Sequence, residues 1–204
     1  MVRTYDNVAR REQASRRRTA ILDACRELLV SSGYAGLTIK AVAAAAEVSP
    51  ETIYKAFGTK RGLVKAMYDV TLAGDDAPEP LARRPEVLAL LAETDPSEKI
   101  FRYAVIARGI GERLGAVTAA LGSGGPEAAA IVAETGRERL AGATAFARHL
   151  AEGGHLTRDV DVVADEAWVL LAPEVYQAAT AGRGWTPDRY EDWLRRVLTA
   201  TFLA

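Results

Sequence analysis

Residues 37–60 read LTIKAVAAAAEVSPETIYKAFGTK, and the reading of this stretch decides the fold. Thr38 is placed to cap a short helix whose apolar positions Ile39, Val42, Ala43 and Ala46 recur at steps of three and four. Their small side chains let a second helix cross closely. After Glu47 and Val48, the run Ser49-Pro50-Glu51-Thr52 supplies a capping hydroxyl, a proline suited to a first helical turn and a carboxylate beside the positive end of the helix dipole. A second helix therefore begins at Pro50. On it Ile53 and Phe57 lie four apart and face inward, which leaves Glu51, Thr52, Tyr54 and Lys55 outward. A short helix with a hydroxyl, a carboxylate, a phenol and an ammonium on its free face matches the size and chemistry of the DNA major groove. Gly58-Thr59-Lys60 then opens a further helix running to about Gly74. Its free amides and the Lys60 ammonium are placed to hold one phosphate, positioning the protein without reading sequence. The candidate DNA-binding residues are Thr38, Lys40, Ser49, Pro50, Glu51, Thr52, Tyr54, Lys55 and Lys60.

Leu37-Thr38, Val42-Ala43, Val48-Ser49, Thr52, Tyr54, Phe57 and Lys60 give residues 16–70 a dense resemblance to the DNA-binding domain of TetR/AcrR-type regulators. The resemblance implies a three-helix reading head and a two-fold dimer. A helical C-terminal domain resembles the ligand-binding and dimerisation part of that family more weakly, through Trp168, Pro173-Glu174-Val175-Tyr176, Arg183-Gly184-Trp185, Tyr190 and Trp193. The chain departs from the family at Glu47, where glycine is frequent. A left-handed backbone there costs a non-glycine residue roughly 1 to 2 kcal/mol.

Composition agrees with a globular chain: 204 residues, 49% hydrophobic and 26% charged, suffice for two small domains. The net charge of −1 hides a polarity along the chain. Residues 1–68 hold 12 Lys and Arg against 6 Asp and Glu, and residues 69–204 hold 14 against 21. A basic module joined to an acidic one directs only the first toward phosphate. No apolar run is long enough to span a bilayer, and the arginine-rich N-terminus is not followed by an apolar stretch, so no signal peptide and a cytoplasmic location are expected. Cys25 is the only cysteine, which excludes an intrachain disulfide.

In chain order, residues 1–15 lack an apolar period and read as a flexible basic arm whose arginines are able to reach phosphates or a minor groove. Ile21, Cys25, Leu28, Leu29 and Ser32 mark the inward face of a first helix, Arg16 to Ser32, closed by Gly33. With Ile53, Phe57, Leu63 and Met67 they complete a head spanning 16–74. Three prolines and an acidic cluster in GDDAPEPLARRP, 74–85, set the boundary of a body spanning 75–204. There, after a short helix at 86–93, Ile100, Tyr103, Ala107, Ile110, Leu114, Val117 and Leu121 form one buried stripe. Ile131, Val132, Leu140, Ala143, Ala147 and Leu150 form the next, and Pro173 forces a bend or restart near Ala172. Thr186-Pro187 starts a last helix with Tyr190, Trp193, Leu194, Val197 and Thr201 on one stripe. With no strand pattern the fold class is all-α.

Catalysis is not expected. His149 and His155, the only histidines, are neither at metal-ligand spacing nor paired with a carboxylate on a shared turn, so no metal and no cofactor are called for. The body is larger than a dimerisation module needs, and Phe101, Tyr103, Phe146, Trp168 and Tyr176 are candidates to line a small-molecule cavity. The expected function is a repressor released from a palindromic operator by a ligand. The alternative is a DNA-binding regulator without one. A homodimer is expected through residues 161–181 and 187–203, with Trp168, Leu171, Trp193, Leu194, Val197 and Leu198 at the interface.

Overall fold

A computed structural model of the 204-residue chain describes residues 2–77, 79–156 and 158–203, with side chains from residue 10 onward. Ten α-helices carry the described residues: α1 Val2–Gly36, α2 Ile39–Ala45, α3 Pro50–Phe57, α4 Lys60–Ala73, α5 Pro85–Ala92, α6 Pro96–Gly122, α7 Gly125–Glu152, α8 Val160–Leu170, α9 Pro173–Gln177 and α10 Pro187–Phe202. A single 3-10 turn, Leu81–Arg83, precedes α5, and a π-helical turn, Ala178–Gly182, follows α9. No strand occurs among the described residues.

Two compact units divide the chain. The first comprises Met1–Thr71 with Ala120–Ile131, and the second Leu72–Ala119 with Val132–Ala204. The segment 120–131 thus joins the unit that holds the head, whereas the sequence reading places it in the body.

In the first unit, α1 begins at Val2, so residues 2–15 continue the helix where a flexible arm is expected from sequence. The arm lacks an apolar period, yet arginine, glutamate, glutamine and alanine are good helix formers, and extending an existing helix avoids the cost of nucleation. Arg16 and Glu12, one turn apart, pair at 3.5 Å. Gly33 interrupts α1 at φ 69°, ψ 172°, where the closing glycine was expected. Ile21, Leu22, Cys25, Leu29, Leu37, Val42, Ile53, Leu63, Val64 and Met67 form the core, together with Leu121, Ala128 and Ile131. Ser32 is exposed and Leu28 half-buried, because the inward stripe runs Ile21, Leu22, Cys25, Leu29 instead. Burial pushes the Cys25 thiol up to about 12, so it is an inert core group.

The second unit is built on α6 and α7. Asp95 caps α6 by accepting from the amides of Ser97 at 2.7 Å and Glu98 at 3.3 Å. Ile100, Ala104 and Ala107 of α6 share a core with Ala143, Phe146, Ala147 and Leu150 of α7. Pro173 does separate α8 from α9, as its missing N–H requires. Glycines set how near α9 comes to α6: a Cβ on Gly111 would lie 2.6 Å from the Tyr176 ring, and one on Gly115 2.6 Å from the Gln177 amide oxygen. Leu140, expected inward, is 37% exposed. Leu194 and Leu198, expected at a subunit interface, are fully buried in this core with Tyr190 and Phe202. The stripe of α10 therefore repeats every four residues and faces the protomer's own interior. Lys99 is only 4% exposed, and its ammonium sits 2.8 Å from His149 Nε2 and donates at 3.3 Å to the Leu91 carbonyl.

Candidate nucleic-acid interface

Local chemistry fixes α2 and α3 in place. Thr38, in extended conformation, accepts at Oγ1 from the Ala41 amide at 3.1 Å and caps α2, whose Ile39, Val42 and Ala43 are buried. Between the helices Glu47 adopts φ 53°, the left-handed position that the sequence reading assigned to it. The Val48 amide then reaches back to the Ala43 carbonyl at 2.9 Å, turning the chain into α3. Ser49 caps α3 by accepting from the Thr52 amide at 3.3 Å, with the two hydroxyls 3.2 Å apart. The Glu51 amide and the Ser49 hydroxyl hold the Glu51 carboxyl below its ordinary value. Gly58, at φ 75°, ends the helix, and its amide donates to the Tyr54 carbonyl at 2.9 Å.

One buried side chain, Ile53, anchors α3. Phe57 is half-buried, with the Arg18 guanidinium 5.1 Å from its ring centroid. Glu51, Lys55 and Tyr54, the last 53% exposed, form the free face. Thr52 is half-buried, and Ser49 is exposed but engaged in the cap. Pro50 is half-buried in the first turn, and Thr38 and Lys40 are exposed. Of the nine candidate residues, Glu51, Tyr54 and Lys55 are thus those that α3 turns outward from secured backbone.

Lys60, expected to hold a phosphate, makes a contact within its own unit. Its ammonium donates to the Tyr34 carbonyl at 2.5 Å and lies 4.1 Å from the centre of the Tyr34 ring. Tyr34 is itself buried, and its hydroxyl donates to Glu127 at 2.9 Å. Burial, then the Glu127 bond, raises that phenol to about 12. Lys60 therefore ties α4 to the end of α1, a contact that pairwise spacing along the sequence does not reveal. Gly62 was also missed. A Cβ there would lie 2.2 Å from the Phe57 carbonyl oxygen, so the crossing from α3 into α4 needs glycine.

Four of the five aromatics of the body make ring or hydrogen-bond contacts. Tyr103 and Phe146 stack at 3.9 Å, Tyr176 meets Tyr190 edge-on at 5.0 Å, and Phe101 is exposed. Trp168, 37% exposed, donates from its indole nitrogen to the Gly136 carbonyl at 2.8 Å and stacks under Arg139. An open groove of about 450 Å³ lies elsewhere, between α8 and α10, lined by Asp165, Glu166, Val169, Leu170, Val197 and Thr201. No group of three or more metal-ligating side chains occurs among the described residues, and no helix there is long and apolar enough to cross a membrane.

Known proteins share this head. Residues 21–67 match the family described as "Bacterial regulatory proteins, tetR family". The chain is 49% identical over 47 residues to the uncharacterized HTH-type transcriptional regulator YvkB of Bacillus subtilis, covering 23% of this chain and 25% of that one. It is 41% identical over 56 residues to the HTH-type transcriptional regulator AlkX of Mycobacterium tuberculosis, covering 28% and 26%. Each curated match therefore spans about a quarter of the relative. The whole fold resembles that of a Rhodococcus sp. protein described as a TetR-family transcriptional regulator, with TM-score 0.73, 18% identity and coverage of 93% of this chain and 100% of that one. It also resembles the fatty acid degradation regulator FadR of Bacillus halodurans, with TM-score 0.71, 17% identity and coverage of 88% and 96%. At such identities the likeness is one of fold.

Proposed function

We propose that this chain, a member of the TetR family by its N-terminal domain, regulates transcription by binding a two-fold symmetric DNA operator as a homodimer and leaving it when a small molecule enters the helical body. The observation that carries the reading is α3: eight residues, capped at both ends, held by Ile53 and presenting Glu51, Tyr54 and Lys55. A carboxylate, a phenol and an ammonium on one rigid face are able to accept from and donate to base edges and phosphates. One such helix touches few base pairs, so two copies one helical turn apart, about 34 to 36 Å, supply the affinity.

The exposed apolar residues of α8, Val162, Trp168 and the 55% exposed Val169, with the groove toward Val197 and Thr201, are the surface best suited to pair with a second copy. A second reading, regulation without a small molecule, draws support from the close contacts of three of these aromatics, where Tyr103 meets Phe146 at 3.9 Å and Tyr176 packs against Gly111. Selecting duplexes from a random-sequence pool with the full chain tests the proposal. The expected product is an inverted repeat bound by two copies. Recovery of no consensus, or sedimentation of the free protein as a lone 21.9 kDa species at micromolar concentration, overturns it.

A further inference from the structure

The N-terminal turns of α1 carry a charge pattern that the helix-turn-helix does not use. Residues 10–18 hold Arg10, Arg11, Arg16, Arg17 and Arg18 against one acidic residue, Glu12, which pairs with Arg16. Arg10, Arg11 and Arg17 are exposed and have no acidic partner among the described residues. The segment lies outside residues 21–67, the part that matches the family.

Helical geometry orders these charges. Arg10 and Arg17 are seven residues apart, as are Arg11 and Arg18, so each pair lies on one stripe with ~20° of drift and ~10.5 Å of rise. Arg18 marks where the second stripe points, because its guanidinium lies over the ring of Phe57, the last residue of α3. Arg11 therefore sits two turns further out on the side of α1 that faces the end of the reading helix. A helix holds these guanidinium groups at set spacings, so binding orders side chains but not backbone. Exposed guanidinium groups with no shaped pocket around them suit phosphate, which they bind bidentately, more than the edge of one particular base.

We propose that Arg10, Arg11 and Arg17 form a second phosphate-binding surface, which extends the contact with duplex DNA beyond the groove occupied by α3. This rests on the DNA-binding reading above. The test compares wild type with R10Q/R11Q/R17Q on a 40-base-pair duplex recovered by selection with the wild-type protein. Each lost phosphate contact removes about 0.9 from the slope of log affinity against log salt, so the slope falls by roughly 2 to 3. Affinity at 0.1 M salt drops at least tenfold, sequence preference stays the same, and the hydroxyl-radical footprint loses its outermost protections. R10K/R11K/R17K keeps the charge and retains most of the slope. An unchanged slope and footprint in the folded glutamine variant overturn the proposal while leaving α3 as the reader. Equal loss in the lysine and glutamine variants also overturns it, because the arginines would then be structural. If the wild-type chain selects no duplex, the regulator reading fails first and this surface with it.

Discussion

Helices α3 and α10 each bury one face and expose another, but they are held by different means. In α10, Tyr190, Leu194, Leu198 and Phe202 are buried one turn after another, so no single contact sets its position. In α3 Ile53 alone is fully buried, and position comes from the ends, through the Ser49 cap, the left-handed Glu47 before it and Gly58 after it. With a single buried residue, α3 has no wide apolar stripe to hold it. Caps and turn geometry take over that work.

Truncating α10's stripe gives the largest effect. Leu194→Ala should cost about 2 to 5 kcal/mol in urea unfolding of the full chain, as for other fully buried leucines. A cost below about 1 kcal/mol would mean that α10 does not hold the body. Gly62→Ala should come next, at about 1 to 3 kcal/mol or more, because the new methyl meets backbone and not a movable side chain. Near-neutral behaviour would show that the α3–α4 crossing is looser than its geometry. For Lys60→Ala we expect a loss of roughly 1 to 2 kcal/mol, from the hydrogen bond to the Tyr34 carbonyl and the contact with its ring. A melting temperature equal to wild type would show that this contact does not hold α4 to the end of α1.

Glu47→Gly probes the turn directly. Relief of left-handed strain and the greater freedom of the unfolded chain nearly cancel, so stability should change by less than about 1 kcal/mol or rise slightly. A clear drop in melting temperature would show that the carboxylate, not the backbone, matters there. The smallest effect belongs to the body and to pH. Burial, then the neighbouring Lys99 charge, lowers the pKa of His149 from its ordinary 6.5. The folded state then binds fewer protons than the unfolded one below about pH 6.5, so stability present above that pH is lost as pH falls toward the folded value. His149→Gln should remove this slope, and a variant with the wild-type profile between pH 7 and 5 would show that His149 is not its source.

The head was legible because its signals are local. Thr38, Ser49-Pro50 and Gly58 each act within four residues, and the strain at Glu47 follows from the turn between two caps. What escaped were contacts set by distant partners, such as Lys60 on Tyr34, 26 residues away. Helix boundaries in the body were legible for the same reason, down to the break at Pro173. Which side of each stripe is interior was not. Leu140 and Leu194 look alike in periodicity, yet one is exposed and the other sealed, since packing against other helices decides. Gly111 and Gly115 carry a visible four-residue spacing, but nothing local says that Tyr176 and Gln177 fill the space beside them. The expectation of a flexible arm rested on apolar periodicity, which a helix continued by propensity does not need.

The segment 120–131 has a consequence for synthesis. Leu121, Ala128 and Ile131 belong to the first unit's core, and Glu127 accepts the Tyr34 hydroxyl bond. On the ribosome, the helix-turn-helix is complete in sequence by Met67 but lacks these residues until Ile131 has been added, roughly 3 to 13 s later at about 5 to 20 residues per second. During that interval Tyr34 lacks its Glu127 partner. A fragment ending near residue 74 would lack Leu121, Ala128 and Ile131 of this core and the Glu127 partner of Tyr34.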